Sequence, residues 1–159
     1  MMQKQRVAVV TGGAMGIGGE SVAQLARTGH HVVIADRDTA AAKQTADQLT
    51  QEGLSVSTVE IDVGKADSVA AAFAHIDKTY GRCDVLVNSA GLAKVYPFLE
   101  YPLDHFEYTM NINVTGTLLC SQHAARMMVK EKWGRIINIA SVAGMRAVGT
   151  GRTAYGTSK

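Results

Sequence analysis

Tyr155 and Lys159 stand four residues apart, a spacing that places a phenol and an ammonium on one face of a helix. A phenol with a reference pKa of about 10 is a poor base near neutrality. A neighbouring ammonium favours its ionised form, and each unit of depression reflects about 1.4 kcal/mol. The pair could serve general acid/base chemistry, although the same spacing is common on exposed helix faces. At the other end of the chain, an apolar run leads into Thr11-Gly12-Gly13-Ala14-Met15-Gly16-Ile17-Gly18, after which Glu20 to Arg27 has helical character. Glycines between a first strand and a helix N-terminus let backbone amides close on a pyrophosphate. Taken alone, such a cluster is equally a flexible turn.

The next apolar run ends at Asp36, about 20 residues beyond Gly16, where an acidic side chain accepts hydrogen bonds from the adenosine ribose and repels a 2′-phosphate. Asp36 therefore favours NAD over NADP. The adjacent Arg37 keeps NADP open, because a guanidinium can accommodate that phosphate.

The elements that must position these residues are legible as an alternation. Short apolar runs at Val7 to Val10, Val32 to Ala35, Val56 to Ile61, Val85 to Val87 and Ile136 to Ile139 are separated by segments of helical period, among them Ser21 to Arg27, Ala40 to Leu49, Val69 to Ile76 and a long stretch from Leu103 to Lys130. Strands apolar on both sides and divided by helices predict an α/β fold with a Rossmann-like, doubly wound parallel sheet, five strands of which are visible. Gly29, Gly53 and Gly81 punctuate the passage from helix to strand. No repeat, low-complexity tract or linker divides the chain, so one domain over residues 1–159 is expected.

Composition narrows the partners. With 47% hydrophobic residues the chain can build a real core, and 16 Lys plus Arg against 14 Asp plus Glu, a net charge of +2 without like-charged blocks, leaves no footprint for nucleic acid or an anionic membrane. A small molecule is the expected partner. Cys83 and Cys120 fit no thiol pattern and are expected to be buried thiols in a reducing compartment. Lys4 and Arg6 precede only the four residues Val7 to Val10, too short a run for a secretory or spanning segment, so a cytoplasmic location is expected.

Other constellations carry less. Ile139-Ala140-Ser141-Val142-Ala143 lacks the glycines of a hydrolase nucleophile elbow, and Cys120 with His123 has no second pair to complete a metal site. Phe106, Met110, Val114 and Leu118, with Met127 and Met128 beyond, form a packing stripe on the long helix.

In order along the chain, the spacing of Thr11-Gly12 with Gly16 and Gly18, Asp62-Val63 after the third strand, Asn88-Ser89-Ala90-Gly91 after the fourth, Asn113 in Asn113-Val114-Thr115-Gly116, Ser141, and Tyr155 with Lys159 resemble the motifs of classical short-chain dehydrogenases/reductases. Ser89 departs from the family's second asparagine. The resemblance covers essentially the whole chain. It implies an oxidoreductase passing hydride between a nicotinamide and a secondary alcohol or ketone such as a polyol, hydroxy acid or 3-oxoacyl substrate. Tyr155 would exchange a proton with the substrate oxygen, and Ser141 would donate a hydrogen bond to it. Lys159 would hold the nicotinamide ribose, and Asn113 would anchor a water relaying protons. Gly12, Gly16, Ile17, Gly18, Asp36, Asp62, Val63, Asn88, Ala90 and Gly91, with Tyr155 and Lys159, would contact the nucleotide. The long helix would meet a partner subunit, which implies a homo-oligomer.

By the same resemblance the domain is expected to be C-terminally incomplete: two strands of a seven-stranded sheet and the segment enclosing substrate lie beyond Lys159. The 159-residue chain alone is then expected to be inactive, with strand five left as an apolar edge. Gly144 to Thr153, with Arg146 and Arg152, would border the substrate. A non-catalytic nucleotide-binding or structural fragment remains the alternative.

Overall fold

Each of the five apolar runs becomes a strand. The structure, a computed structural model, describes residues 5–146 and 149–159, so Lys4 and part of the Gly144 to Thr153 stretch lie outside the described residues. In chain order the elements are β1 (Val7–Thr11), α1 (Gly16–Arg27), β2 (His31–Asp36), α2 (Thr39–Gln51), β3 (Val56–Glu60), α3 (Ala66–Tyr80), β4 (Val85–Asn88), α4 (Leu103–Met110), α5 (Gly116–Glu131), β5 (Arg135–Asn138) and α6 (Thr153–Ser158). The strands form one parallel sheet in the order β3-β2-β1-β4-β5, the doubly wound Rossmann-like architecture expected from the alternation.

Winding proceeds from β1 outward to β3 and then returns to the other side of β1, so the crevice at the carboxyl ends of β1 and β4 is the switch point where such sheets bind ligands. Register fixes the geometry there: Thr11 pairs with Ala35 on one side and Asn88 on the other, which levels the loops that follow.

Alternation along β1, β2 and β4 sends successive side chains to opposite faces, and both faces are covered. Val9, Val33 and Leu86 join Phe73, Ile76, Cys120 and Met127 under α3 and α5, while Val10, Ile34 and Val87 join Val22, Ala42 and Leu49 under α1 and α2. Complete burial of a side chain such as Ile34 or Leu86 stabilises by about 1.5–3 kcal/mol relative to exposure. At the root of β1, the buried Asp84 accepts from Val7 N at 2.8 Å and from Arg82 Nε and Nη2 at 2.7 and 2.6 Å. Burial pushes its carboxyl up, but the Arg82 and Val7 hydrogen bonds and the charges of Arg82 and Arg6 together hold it below the ordinary value.

β5 is the apolar edge expected of strand five, and β3 at the other edge of the sheet is likewise only partly buried. Ile136 and Ile137 remain 39% and 46% exposed, because β5 has β4 as its only strand neighbour among the described residues. The helical stripe also divides. Met127 and Met128 enter the core, whereas Val114 and Leu118 face outward, 42% and 54% exposed.

Candidate active site

The glycine turn is built by close approach. Gly12 takes φ +63°, and a Cβ there would lie 2.8 Å from the Ala90 Cα and N; a Cβ on Gly18 would fall on the Gly12 carbonyl oxygen. Gly16, with φ +58°, takes the left-handed conformation that glycine adopts at least cost, at the head of an α1 that begins four residues before the Glu20 expected from its periodicity. Buried Thr11 ties this turn to the β4 loop, its Oγ1 accepting from Ser89 N and Ala90 N at 3.2 and 3.3 Å. Small residues thus leave a cradle at a helix N-terminus that side chains would fill, which fits a dinucleotide phosphate.

Asp36 stands beside the glycine turn at the end of β2. Its Oδ2 accepts from Ala14 N in the glycine turn and its Oδ1 from Asp38 N, both at 3.0 Å, so the carboxylate binds the turn to the end of β2. Asp62 shapes the loop after β3 through Gly64 N at 3.1 Å, and its backbone N donates to Ser68 Oγ at 2.9 Å. Asn88, at the end of β4, is buried. Its Nδ2 donates to Ser121 Oγ at 3.0 Å and Asn138 Oδ1 at 2.9 Å, stitching β4 to α5 and β5.

The Tyr155 end is assembled from three loops. Lys159 Nζ donates to the Ile139 carbonyl at 2.7 Å and lies 5.9 Å from the centroid of the Tyr155 ring, so α6 and the end of β5 place cation and phenol together. Ser141 caps a 3-10 turn over Val142–Gly144, its Oγ accepting from Ala143 N at 3.2 Å. That turn touches α6, since a Cβ on Gly156 would stand 2.9 Å from the Ala143 carbonyl oxygen.

Asn113 occupies a π-helical segment, Asn111–Thr115, through which α4 runs into α5 as one interrupted helix. Such π-bulges concentrate at functional sites. Here the wide turn presents the Asn113 side chain to the loop after β4: Oδ1 accepts from Leu92 N at 2.8 Å, and Nδ2 donates to Leu92 O at 3.0 Å and Ser158 Oγ at 2.8 Å. Asn113 thereby couples α6 to the loop beside Gly91.

A cleft of about 580 Å³ runs along this edge of the sheet, within the roughly 300–1,000 Å³ typical of small-molecule sites. It brings together Gly12, Ile17, Gly18, Asp36, Asp62, Val63, Ala90, Gly91, Tyr155 and Lys159. Gly16, Asn88, Asn113 and Ser141 do not line it; Asn88 and Asn113 lie behind its wall, and Ser141 sits in the turn that packs on α6. Sequence reasoning passed over Leu92, Tyr108, Ile112 and Ile139, which also line the cleft. Only the i, i+4 spacing of Tyr108 and Ile112 could have hinted at them.

A profile of the family described as short chain dehydrogenase matches residues 6–159. The chain belongs to the short-chain dehydrogenase family. Among curated relatives, an uncharacterized oxidoreductase, YxjF of Bacillus subtilis, is 42% identical over 99% of this chain and 61% of its own length, and the 3-oxoacyl-(acyl-carrier-protein) reductase FabG of Aquifex aeolicus is 35% identical over 97% and 62%. Among solved structures, that of gox2181 superposes with a TM-score of 0.95 at 34% identity, covering 99% of this chain and 62% of the other. A gluconate 5-dehydrogenase from Burkholderia cenocepacia in complex with NADP and tartrate superposes at 0.90 with 31% identity, covering 97% and 60%. The chain thus spans about three fifths of the length of these family members.

The cysteines stand apart from this site. Burial pushes the Cys83 thiol up to about 12, with the Asp84 charge adding to it, and burial does the same to Cys120. Neither is a ready nucleophile. His123 stacks on Phe73 at 5.5 Å between centroids, an ordinary packing contact. No helix among the described residues is long and apolar enough to cross a membrane.

Proposed function

We propose that this chain carries the nucleotide site and the catalytic residues of an NAD(P)-dependent oxidoreductase acting on a secondary alcohol or ketone, of the polyol, hydroxy acid or 3-oxoacyl kind. The observation that carries this reading is the meeting, in one cleft, of Tyr155 and Lys159 with the glycine turn and Asp36. When bound, the nicotinamide supplies or accepts the hydride. Tyr155 exchanges a proton with the substrate oxygen, and the Ser141 hydroxyl donates to that oxygen. Lys159 holds positive charge beside the phenol and binds the nicotinamide ribose. Asn113 holds α6 and the Leu92 loop in register and anchors the water that relays protons to Lys159.

NAD(H) is the preferred nucleotide on this reading, because a 2′-phosphate would meet the Asp36 carboxylate. Gly12, Gly16, Ile17 and Gly18 bind the pyrophosphate, Asp62 and Val63 the adenine, and Asn88, Ala90 and Gly91 shape the wall between the two halves. The NADP in the Burkholderia structure and Arg37 here support NADP(H) as the weaker ligand. A second copy of the chain covers the outer face of α4 and α5, where Leu103, Val114, Leu118 and Val129 are exposed. The compartment is cytoplasmic.

The second reading is a non-catalytic nucleotide-binding or structural protein, which would give no turnover in either form. The two are separated by assaying NAD(H)-linked turnover of secondary alcohols and ketones by residues 1–159 and by a form extended to the length of its relatives. Turnover by the extended form alone is expected. Activity in neither removes the oxidoreductase reading, and activity in either form removes the second.

A further inference from the structure

We propose that Tyr108, acting through Arg37, governs how sharply this cleft discriminates between NAD(H) and NADP(H), an inference that rests on the nucleotide reading above. Arg37 lies in the turn between β2 and α2, and its Nη1 stands 3.5 Å from the hydroxyl of Tyr108, which is 71 residues away on α4. Both residues line the cleft, so their contact spans it beside Asp36.

The acidic neighbours of Arg37 are committed elsewhere. Asp36 receives the Ala14 and Asp38 amides, and Asp38 Oδ1 caps α2 by accepting from Ala41 N at 2.9 Å. Among the described residues Arg37 forms no ion pair. Its guanidinium stands in the cleft wall, and its side-chain contact is the Tyr108 hydroxyl at 3.5 Å.

A guanidinium presents a fork of donors matched to phosphate. One residue from Asp36, it is the group a 2′-phosphate would recruit against the repulsion of that carboxylate. The phenol draws the fork toward α4 instead. Tyr108 offers its oxygen from a supported ring: the side chain is 44% exposed but leans on His105 at 6.2 Å between centroids, and His105 packs edge-on against Tyr96 at 5.0 Å. Preference then reflects three groups: Asp36 repels the phosphate, Arg37 attracts it, and Tyr108 restrains Arg37. Tyr108 is a positioning residue.

Calorimetric titration of NADH and NADPH into the 159-residue chain and its Tyr108→Phe, Arg37→Gln and double variants tests this. Tyr108→Phe keeps the ring and removes the oxygen. NADPH binding should tighten relative to NADH by about two- to tenfold, the range of one net hydrogen bond. The shift should vanish when Arg37→Gln is present, and rising salt should erode it. An unchanged ratio in Tyr108→Phe, or a shift that survives without Arg37, would overturn the assignment. The parental ratio reports separately on Asp36: tighter NADPH there contradicts the NAD preference while the effect of Tyr108 stays measurable, and binding of neither nucleotide overturns both.

Discussion

The glycine-turn side and the Tyr155 side of the cleft are supported in different ways. The first rests on β1, β2 and β4, buried on both faces, and is locked by Thr11 to the Ser89 and Ala90 amides and by Asp36 to the Ala14 amide. The second is tied by side chains from distant segments: Lys159 to the Ile139 carbonyl and Asn113 to Ser158 and Leu92, around an α6 whose Ala154 is fully buried. The first is set by backbone geometry at strand ends and glycines, whereas the second depends on side-chain bonds between residues 20 or more apart in sequence.

The contrast can be broken first at the chemistry. In a form extended to family length, Tyr155→Phe should lower turnover by about 10²–10⁴-fold with NADH affinity unchanged, as expected for loss of a general acid/base. Steady-state kinetics beside calorimetry checks this, and retention of more than roughly a tenth of parental turnover would exclude the acid/base role.

Leu86→Ala in β4 empties a fully buried site and should cost about 2–5 kcal/mol, while Ile137→Ala on β5 should cost less than about 1 kcal/mol in the 159-residue chain. Urea unfolding of both variants measures the difference, and equal losses would show that β5 is as well supported as β4.

A smaller effect appears with acid. The Asp84 carboxyl is held below its ordinary value in the fold and has the ordinary value, about 3.9, when unfolded, so the stability it contributes is full above that unfolded value and is lost as pH falls through the folded one. Melting temperature followed downward from pH 6 should therefore fall more steeply below about pH 4 in the parent than in Asp84→Asn. Parallel curves would mean that Asp84 is not held as its bonds to Arg82 and Val7 indicate.

Where local sequence acts through the backbone's own order, the molecule was readable. The runs that become β1, β2 and β4, the glycine turn and Asp36 at the end of β2 all depend on residues close in sequence or on apolar pattern. The early start of α1 was hidden because its first turn, Gly16 to Gly19, carries three glycines and so has almost no apolar periodicity to read. The π-segment at Asn113 was hidden because it is tied to tertiary bonds with Leu92 and Ser158, 21 and 45 residues away. Val114 and Leu118 carry the pattern of core residues, but pattern alone does not distinguish a core from a face turned outward. Arg37 was weighed only for its charge, and its contact with Tyr108 is visible only once α4 is folded over the cleft.

On the function proposed above, the glycine turn and Asp36 form a nicotinamide-nucleotide site selective for NAD(H). Calorimetric titration of NADH and NADPH into residues 1–159 at one ionic strength tests it directly. Saturable binding of both, with NADH the tighter, is the expected result. No binding, or NADPH binding as tightly as NADH or more so, would contradict it.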